Sequence, residues 1–139
     1  MEAIECHRGV VHPWQCDVMG HFTTRFYAAM FDDAAYHMFA AIGFSQQHID
    51  RGIGFADLKT TTSYLAELRA GELVVIRGRI LKVGGKSLTA HYAMTNLQTG
   101  VVSAEMEAVS VQFDLEQRRA VPIEADIRAR LAGLGIASG

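Results

Sequence analysis

The stretch from Pro13 to Gly43 does most to decide what this chain can fold into. It opens irregularly, as Pro13-Trp14-Gln15-Cys16-Asp17-Val18-Met19-Gly20-His21, and continues as a long apolar run from Phe22 to Ile42. Phe22, Phe26, Met30, Ala34, Met38 and Ile42 recur in steps of four, with Tyr27, Phe31, Ala35 and Phe39 beside them. That period predicts a helix, and a stripe this broad predicts a buried helix rather than one with a face in water. At about 1.5 Å per residue, roughly twenty residues make a rod about 30 Å long, the width of a small domain. Pro13 breaks anything helical upstream, Thr23 or Thr24 can cap the start, and Gly43 supplies the stop. The positive end of a buried helix therefore points at a loop carrying one carboxylate, Asp17. Chemistry is expected there.

Composition narrows the class. With 139 residues, 50% of them hydrophobic, one globular domain over residues 1–139 with a proper core is expected. A formal net charge of −2 argues against a nucleic-acid partner, which selects for a basic excess. Cys6 and Cys16 make no disulfide framework, so a reducing, cytoplasmic setting is the natural reading. The N-terminus, Met1-Glu2-Ala3-Ile4-Glu5, is acidic and lacks the apolar region of a signal peptide. Asp32 and Asp33 interrupt the longest apolar run, so no membrane span is expected.

Residues 3–12 read as a first strand, followed by the Asp17 loop and the helix. The polar, glycine-punctuated segment Ser45 to Gly54 reads as a loop with a short helical turn around Gln46 to Asp50. From Phe55, the cluster Thr60-Thr61-Thr62 leads into Tyr64-Leu65, which suits a strand. Leu73 to Val83 alternates Val74, Ile76, Gly78 and Ile80 against Arg77 and Arg79. Gly84-Gly85 is a hairpin signal, and its partner strand runs from Lys86 to Asn96 with Leu88, Ala90, Tyr92 and Met94 on one face. Val101 to Leu115 is the last long strand, and a short amphipathic helix, Glu124 to Leu134, closes the chain. The expected order is strand, long helix, then four strands in a meander. An antiparallel sheet must cover one face, and only the central helix is long and apolar enough to cover it. The fold class expected is α+β, a hot-dog arrangement with the sheet wrapped around one helix. Such a layer leaves a long sheet edge open, so a homodimer, or a homotetramer of paired dimers, is expected.

At the junction of loop and helix, Asp17, Gly20, His21 and Tyr27 stand at the spacing of a motif of the hot-dog acyl-CoA thioesterases. The chain resembles in particular the 4-hydroxybenzoyl-CoA thioesterase type, over essentially its whole length. Tyr64-Leu65 before Gly71-Glu72, and then Gly85-Lys86-Ser87, are similar to later landmarks of that family. Thr23-Thr24 stand where the family often has asparagines, and Glu72 where an Asp usually follows the Gly. The shorter pattern Tyr64-Leu65-Ala66-Glu67 resembles thioesterases of carnitine and betaine metabolism, and leaves the acyl group open.

What the resemblance implies is a hydrolase that cleaves an acyl-CoA thioester into free acid and CoA. The chemistry of the residues agrees. Asp17 can attack the carbonyl or deprotonate water, and free N–H groups of the first helical turn, around Thr23 to Arg25, can receive the developing negative charge. The expected catalytic set is Asp17, Gly20 and Thr24, with Gly20 letting backbone approach closely for want of a Cβ. His21 and Tyr27 are expected to line the substrate, and Arg77, Arg79, Lys82 and Lys86, with Arg69, to hold the phosphates of CoA. No cofactor is required, and His12, Cys16, Asp17 and His21 lack the tight spacing of a metal site. Asp32 and Asp33 are read as structural or interface groups, and Glu67 as a surface or dimer contact. Two alternatives stand behind the thioesterase reading: a hot-dog hydratase or dehydratase, which needs a His–acid pair, and a non-catalytic acyl-CoA-binding domain.

Overall fold

The computed structural model describes residues 1–136 of the chain. Strand β1 (Ile4–Val10) passes through a single 3-10 turn at Pro13–Gln15 into helix α1 (Thr24–Ala41), and a short helix α2 (Gln46–Asp50) follows. Then come β2 (Ile53–Tyr64), β3 (Leu73–Val83), β4 (Ser87–Asn96), β5 (Val102–Asp114), the two-residue β6 (Arg119–Ala120) and α3 (Ala125–Gly133).

The strands form one antiparallel sheet in the spatial order β1-β3-β4-β5-β2, with β6 added on β5. This corrects the expected four-strand meander. Only β3, β4 and β5 follow one another as neighbours, while β2 crosses to the far edge and pairs with β5 from Ile53↔Asp114 to Tyr64↔Ala104. The reason is that period-two alternation fixes which face a side chain takes and says nothing about which strand lies alongside. The crossing leaves β1 and the twelve-residue β2 as the two edges.

The helix lies on the sheet with Tyr27, Met30, Phe31, Ala34 and Met38 buried, and Phe22 and Ile42 continue the same stripe. Its other face is open: Ala28, Ala29, Asp32, Asp33, Tyr36 and His37 are exposed, Tyr36 at 71%. The expectation of a helix buried all round is corrected here, because alanines and a tyrosine on the outer face widened the stripe read from the sequence. Gly43 ends the helix with φ +94°, a left-handed conformation that glycine adopts without strain.

Close packing of helix on sheet depends on Gly78, in the middle of β3. A Cβ there would lie 2.6 Å from Cδ1 of Tyr92 and 3.1 Å from Cε of Met38, both fully enclosed. Gly78→Ala is expected to destabilise the fold by about 1–3 kcal/mol, because neither the ring nor the helix above it has room to give. A denaturant midpoint within error of wild type would show that the two layers yield more than this packing suggests.

The C-terminal helix is tied down by a polar contact. His48 is 3% exposed; its Nδ1 accepts the Ser45 N–H at 3.1 Å, which places the ring proton on Nε2, 2.8 Å from the Asp126 carboxylate. Burial raises the Asp126 pKa, but the hydrogen bond from His48 and the N–H of Ile127 outweigh it and hold the carboxyl below its ordinary value.

Candidate active site

The loop between the 3-10 turn and α1 is closed by its own hydrogen bonds. The Asp17 N–H donates to the His21 carbonyl (2.9 Å), and the Gly20 N–H donates to the Asp17 carbonyl (3.0 Å). Side-chain atom Oδ1 of Asp17 accepts two backbone N–H groups, from Met19 at 2.9 Å and His21 at 3.2 Å. One carboxylate oxygen is thereby fixed, and Oδ2 accepts no hydrogen bond from the described residues. Gly20 makes the turn possible through its φ of +82°. A Cβ at Gly20 would meet nothing within 4 Å, so the expected reason, close approach, gives way to a conformational one.

Two contacts press this loop onto the rest of the fold. Cys16 and Phe22 bridge across its base, and the Phe22 N–H donates to the Leu68 carbonyl at 2.8 Å. The second contact draws in the segment that follows β2, so that Tyr64 to Leu68 lies against the helix start. Thr23 is the N-cap residue, but its hydroxyl makes no capping bond and is buried without a partner. The Phe26 and Tyr27 N–H groups turn to the Thr23 carbonyl, while those of Thr24 and Arg25 find no acceptor among the described residues. Free N–H groups at a helix start attract negative charge.

A cleft of about 410 Å³ opens here between Trp14, Asp17, Thr23, Thr24, Arg25 and Phe26, so Asp17 and the two residues with free N–H groups border one space. Trp14 meets Phe26 edge-on at 5.3 Å and stacks on His12 at 5.8 Å, which makes one wall aromatic. Thr24 also borders a second cleft, of about 390 Å³, walled by Phe22, Tyr27, Tyr64 and Glu67. His21 lies at its edge with Nε2 3.0 Å from Oε2 of Glu67. Burial above all, with the neighbouring Tyr64, Glu67 and Glu72, pushes the Tyr27 phenol up to about 12 and keeps it neutral.

The structure thus gathers Asp17, Gly20, His21, Thr24 and Tyr27 at one end of α1. It does not bring the expected basic residues to them. Arg77 and Arg79 project from the sheet face turned away from the helix, and Lys82 and Lys86 flank the β3–β4 turn. None of the four borders the Asp17 cleft. The cation that does is Arg25. Asp32 borders a separate cavity between α1 and the sheet, and Asp33 is exposed. Tyr64 and Glu67 border the second cleft, and Glu67 is exposed there, its side chain 65% accessible, which agrees with its reading as a surface group. The Phe22–Leu68 hydrogen bond that brings them in spans the whole of α1, α2 and β2.

Residues 11–131 match the Thioesterase-like superfamily. This chain belongs to that superfamily. It is a thioester hydrolase, and the match favours hydrolysis over the hydratase and binding-only alternatives. Among its relatives is the betainyl-CoA thioesterase of Pseudomonas aeruginosa, 29% identical over 125 residues that cover 89% of this chain and 79% of that protein. An L-carnitine dehydrogenase/betainyl-CoA thioesterase of Agrobacterium fabrum is 26% identical over 85% of this chain, which spans only 24% of that longer protein. Among solved structures, a Staphylococcus aureus protein in complex with CoA superposes with a TM-score of 0.85 at 18% identity, covering 96% of this chain and 85% of that one. A 4-hydroxybenzoyl-CoA thioesterase variant complexed with 4-hydroxybenzoyl-CoA gives 0.82 at 19% identity, covering 92% and 97%. These two structures establish the hot-dog fold of the superfamily for this chain. Among the described residues no helix is long and apolar enough to cross a membrane.

Proposed function

We propose that this superfamily member hydrolyses acyl-CoA thioesters, with Asp17 as nucleophile or general base and the Thr24 and Arg25 N–H groups receiving the carbonyl oxygen. The observation that carries this is the shared cleft, bordered both by Asp17, one of whose oxygens is tethered, and by the two residues whose backbone donors are unpaired. In the nucleophilic course the free Asp17 oxygen bonds to the thioester carbon, and the carbon–sulfur bond breaks to release CoA thiolate. Water then cleaves the resulting anhydride, restoring the carboxylate and delivering the acid. In the general-base course Asp17 takes a proton from water, which adds to the same carbon; the carbon–sulfur bond then breaks, and the proton held by Asp17 passes to the departing CoA thiolate. Both courses build negative charge on the carbonyl oxygen, where donors already in place are worth most.

Two of the relatives are named for betainyl-CoA. Its acyl group is small and permanently cationic, and a group of that size lies wholly within reach of the clefts at the helix start. The basic residues outside the cleft fit the scheme if a second copy supplies them. The exposed twelve-residue edge of β2, with Leu58 65% exposed, favours pairing with another chain, so a homodimer or a pair of dimers is the proposed assembly. Arg77, Arg79, Lys82 and Lys86 are then the groups proposed to hold the CoA phosphates. Free Cys6 and Cys16 suit a reducing cytoplasm.

A panel of acyl-CoA esters with a thiol reagent tests the reading directly. Release of free CoA with saturation in ester supports it; saturable binding with no release from any ester would overturn the catalytic assignment. Sedimentation of the same sample at micromolar concentration should show at least a dimer.

A further inference from the structure

We propose that the cleft between Phe22, Tyr27, Tyr64 and Glu67 is the acyl-group pocket and selects acyl groups that carry a small ammonium head. The inference deepens the thioesterase reading, on which it rests for the reaction but not for the binding preference.

The argument begins from position. Thr24 borders both clefts at the helix start. A thioester carbonyl held at the Thr24 N–H has the attacking carboxylate of Asp17 on one side. Its acyl substituent is therefore directed to the other, into the space of about 390 Å³ beyond. In a short amino-acyl thioester the nitrogen is only two bonds from the carbonyl carbon, so the head group sits inside this cleft.

The walls then decide what it accepts. Tyr27 lies edge-on to Phe22 at 4.7 Å and to Tyr64 at 5.1 Å, giving three rings around one corner. Aromatic rings in such a cluster hold quaternary ammonium groups through the negative charge of their faces, without needing a hydrogen bond that such a group cannot make. Glu67 adds a formal negative charge. Its Oε2 faces His21, and its other oxygen has no partner among the described residues. Among the described residues no Lys or Arg lines the cleft. Behind the rings, Glu72 is held by the Arg69 N–H at 2.6 Å and by the side chain of Asn96. Glu67 and Glu72 both act, after burial, to raise the Tyr27 phenol. The field that opposes a negative charge on that oxygen attracts a positive one beside it. A purely hydrocarbon acyl group would make no use of these carboxylates, and an anionic one would be repelled.

Two esters of nearly equal shape isolate the charge: betainyl-CoA, and 3,3-dimethylbutanoyl-CoA, in which a neutral tert-butyl group replaces the trimethylammonium. Binding is measured by calorimetry on full-length Asp17→Asn, and turnover by thiol release on the wild type. The cationic ester is expected to bind about tenfold or more tightly than the neutral one, the scale of one well-placed cation–ring contact with a nearby carboxylate. Glu67→Gln and Tyr64→Leu, each placed on the Asp17→Asn background, should bring that ratio down severalfold, and Glu67→Asp should restore part of it. Glu105→Gln on the same background removes an equal charge from the opposite face of the sheet, near His91, and should leave the ratio where it was. Equal binding of the two esters, or a ratio that neither Glu67→Gln nor Tyr64→Leu changes, would overturn the proposal. If the cation preference holds while the wild type releases thiol from neither ester, the pocket stands and the catalytic reading falls. If both esters are hydrolysed and bound alike, hydrolysis stands and the pocket assignment falls.

Discussion

Asp17→Asn is expected to lower kcat by about 10²–10⁴, the usual cost of losing a positioned acid, base or nucleophile. The loop should survive the change. Asn keeps an oxygen that can accept the Met19 and His21 N–H groups now bound to Oδ1, and the Gly20 turn does not depend on the side chain's charge. Only the free oxygen's ability to attack carbon or accept a proton is lost. KM should shift little, because the contacts proposed for CoA lie away from this carboxylate, and such contacts are the same in ground and transition states. The double change Asp32→Asn with Asp33→Asn serves as control, since neither carboxylate borders the Asp17 cleft. Turnover within a few-fold of wild type is expected for it. Thiol release from one good ester, with melting temperatures alongside, decides the matter. Near wild-type turnover in a folded Asp17→Asn protein would move the chemistry to another group.

The position of Asp17 in the loop before α1 was legible in the sequence because the information is local. A lone carboxylate before a long apolar helix, with Gly20, His21 and Tyr27 at fixed offsets, needs no knowledge of distant contacts. The buried stripe from Phe22 to Ile42 is local in the same sense, for each residue's face follows from its number along the helix. Strand faces were legible too: Leu88, Ala90, Tyr92 and Met94 point inward as the alternation says. The β3–β4 hairpin was legible from Gly84-Gly85, but the place of β2 in the sheet could not be read. The pairing of β2 with β5 and the docking of Tyr64 to Leu68 on the Asp17 loop are both long-range, and the rings and carboxylate of the second cleft depend on them. Glu67 is the surface acid the sequence suggested, but its place beside His21 and Tyr27 could not be read for that reason. The basic residues are the converse case, since Arg77 and Arg79 have the right charge for phosphate but stand on the sheet face turned away from the helix. The role proposed for them depends on a second copy of the chain, and one chain's sequence does not record how copies meet.

Thr24→Pro is the second large effect expected, and it tests the backbone rather than a side chain. Thr24 is the first helical residue after the N-cap, and its N–H has no acceptor among the described residues. Proline is favoured at that position because the N–H it lacks takes no part in the helix and its fixed φ suits the first turn. The residue before a proline must be extended, and Thr23 already is, at φ −87° and ψ 154°. The helix should therefore form with little change in melting temperature. One of the two donors proposed for the carbonyl oxygen disappears, and loss of a single such donor typically lowers kcat by about 10²–10³. Thr24→Ala removes the hydroxyl and keeps the N–H, so it separates the two contributions. A loss as large as in Thr24→Pro would assign the effect to the side chain. Because Asp17 and the Thr24 N–H are proposed to act on one carbonyl in one step, their losses should not multiply in the combined variant. Turnover in Asp17→Asn with Thr24→Pro should fall little below that of the worse single change. Full multiplication would mean that the donor and the carboxylate serve separate steps, and full activity in a folded Thr24→Pro protein would remove this N–H from the mechanism.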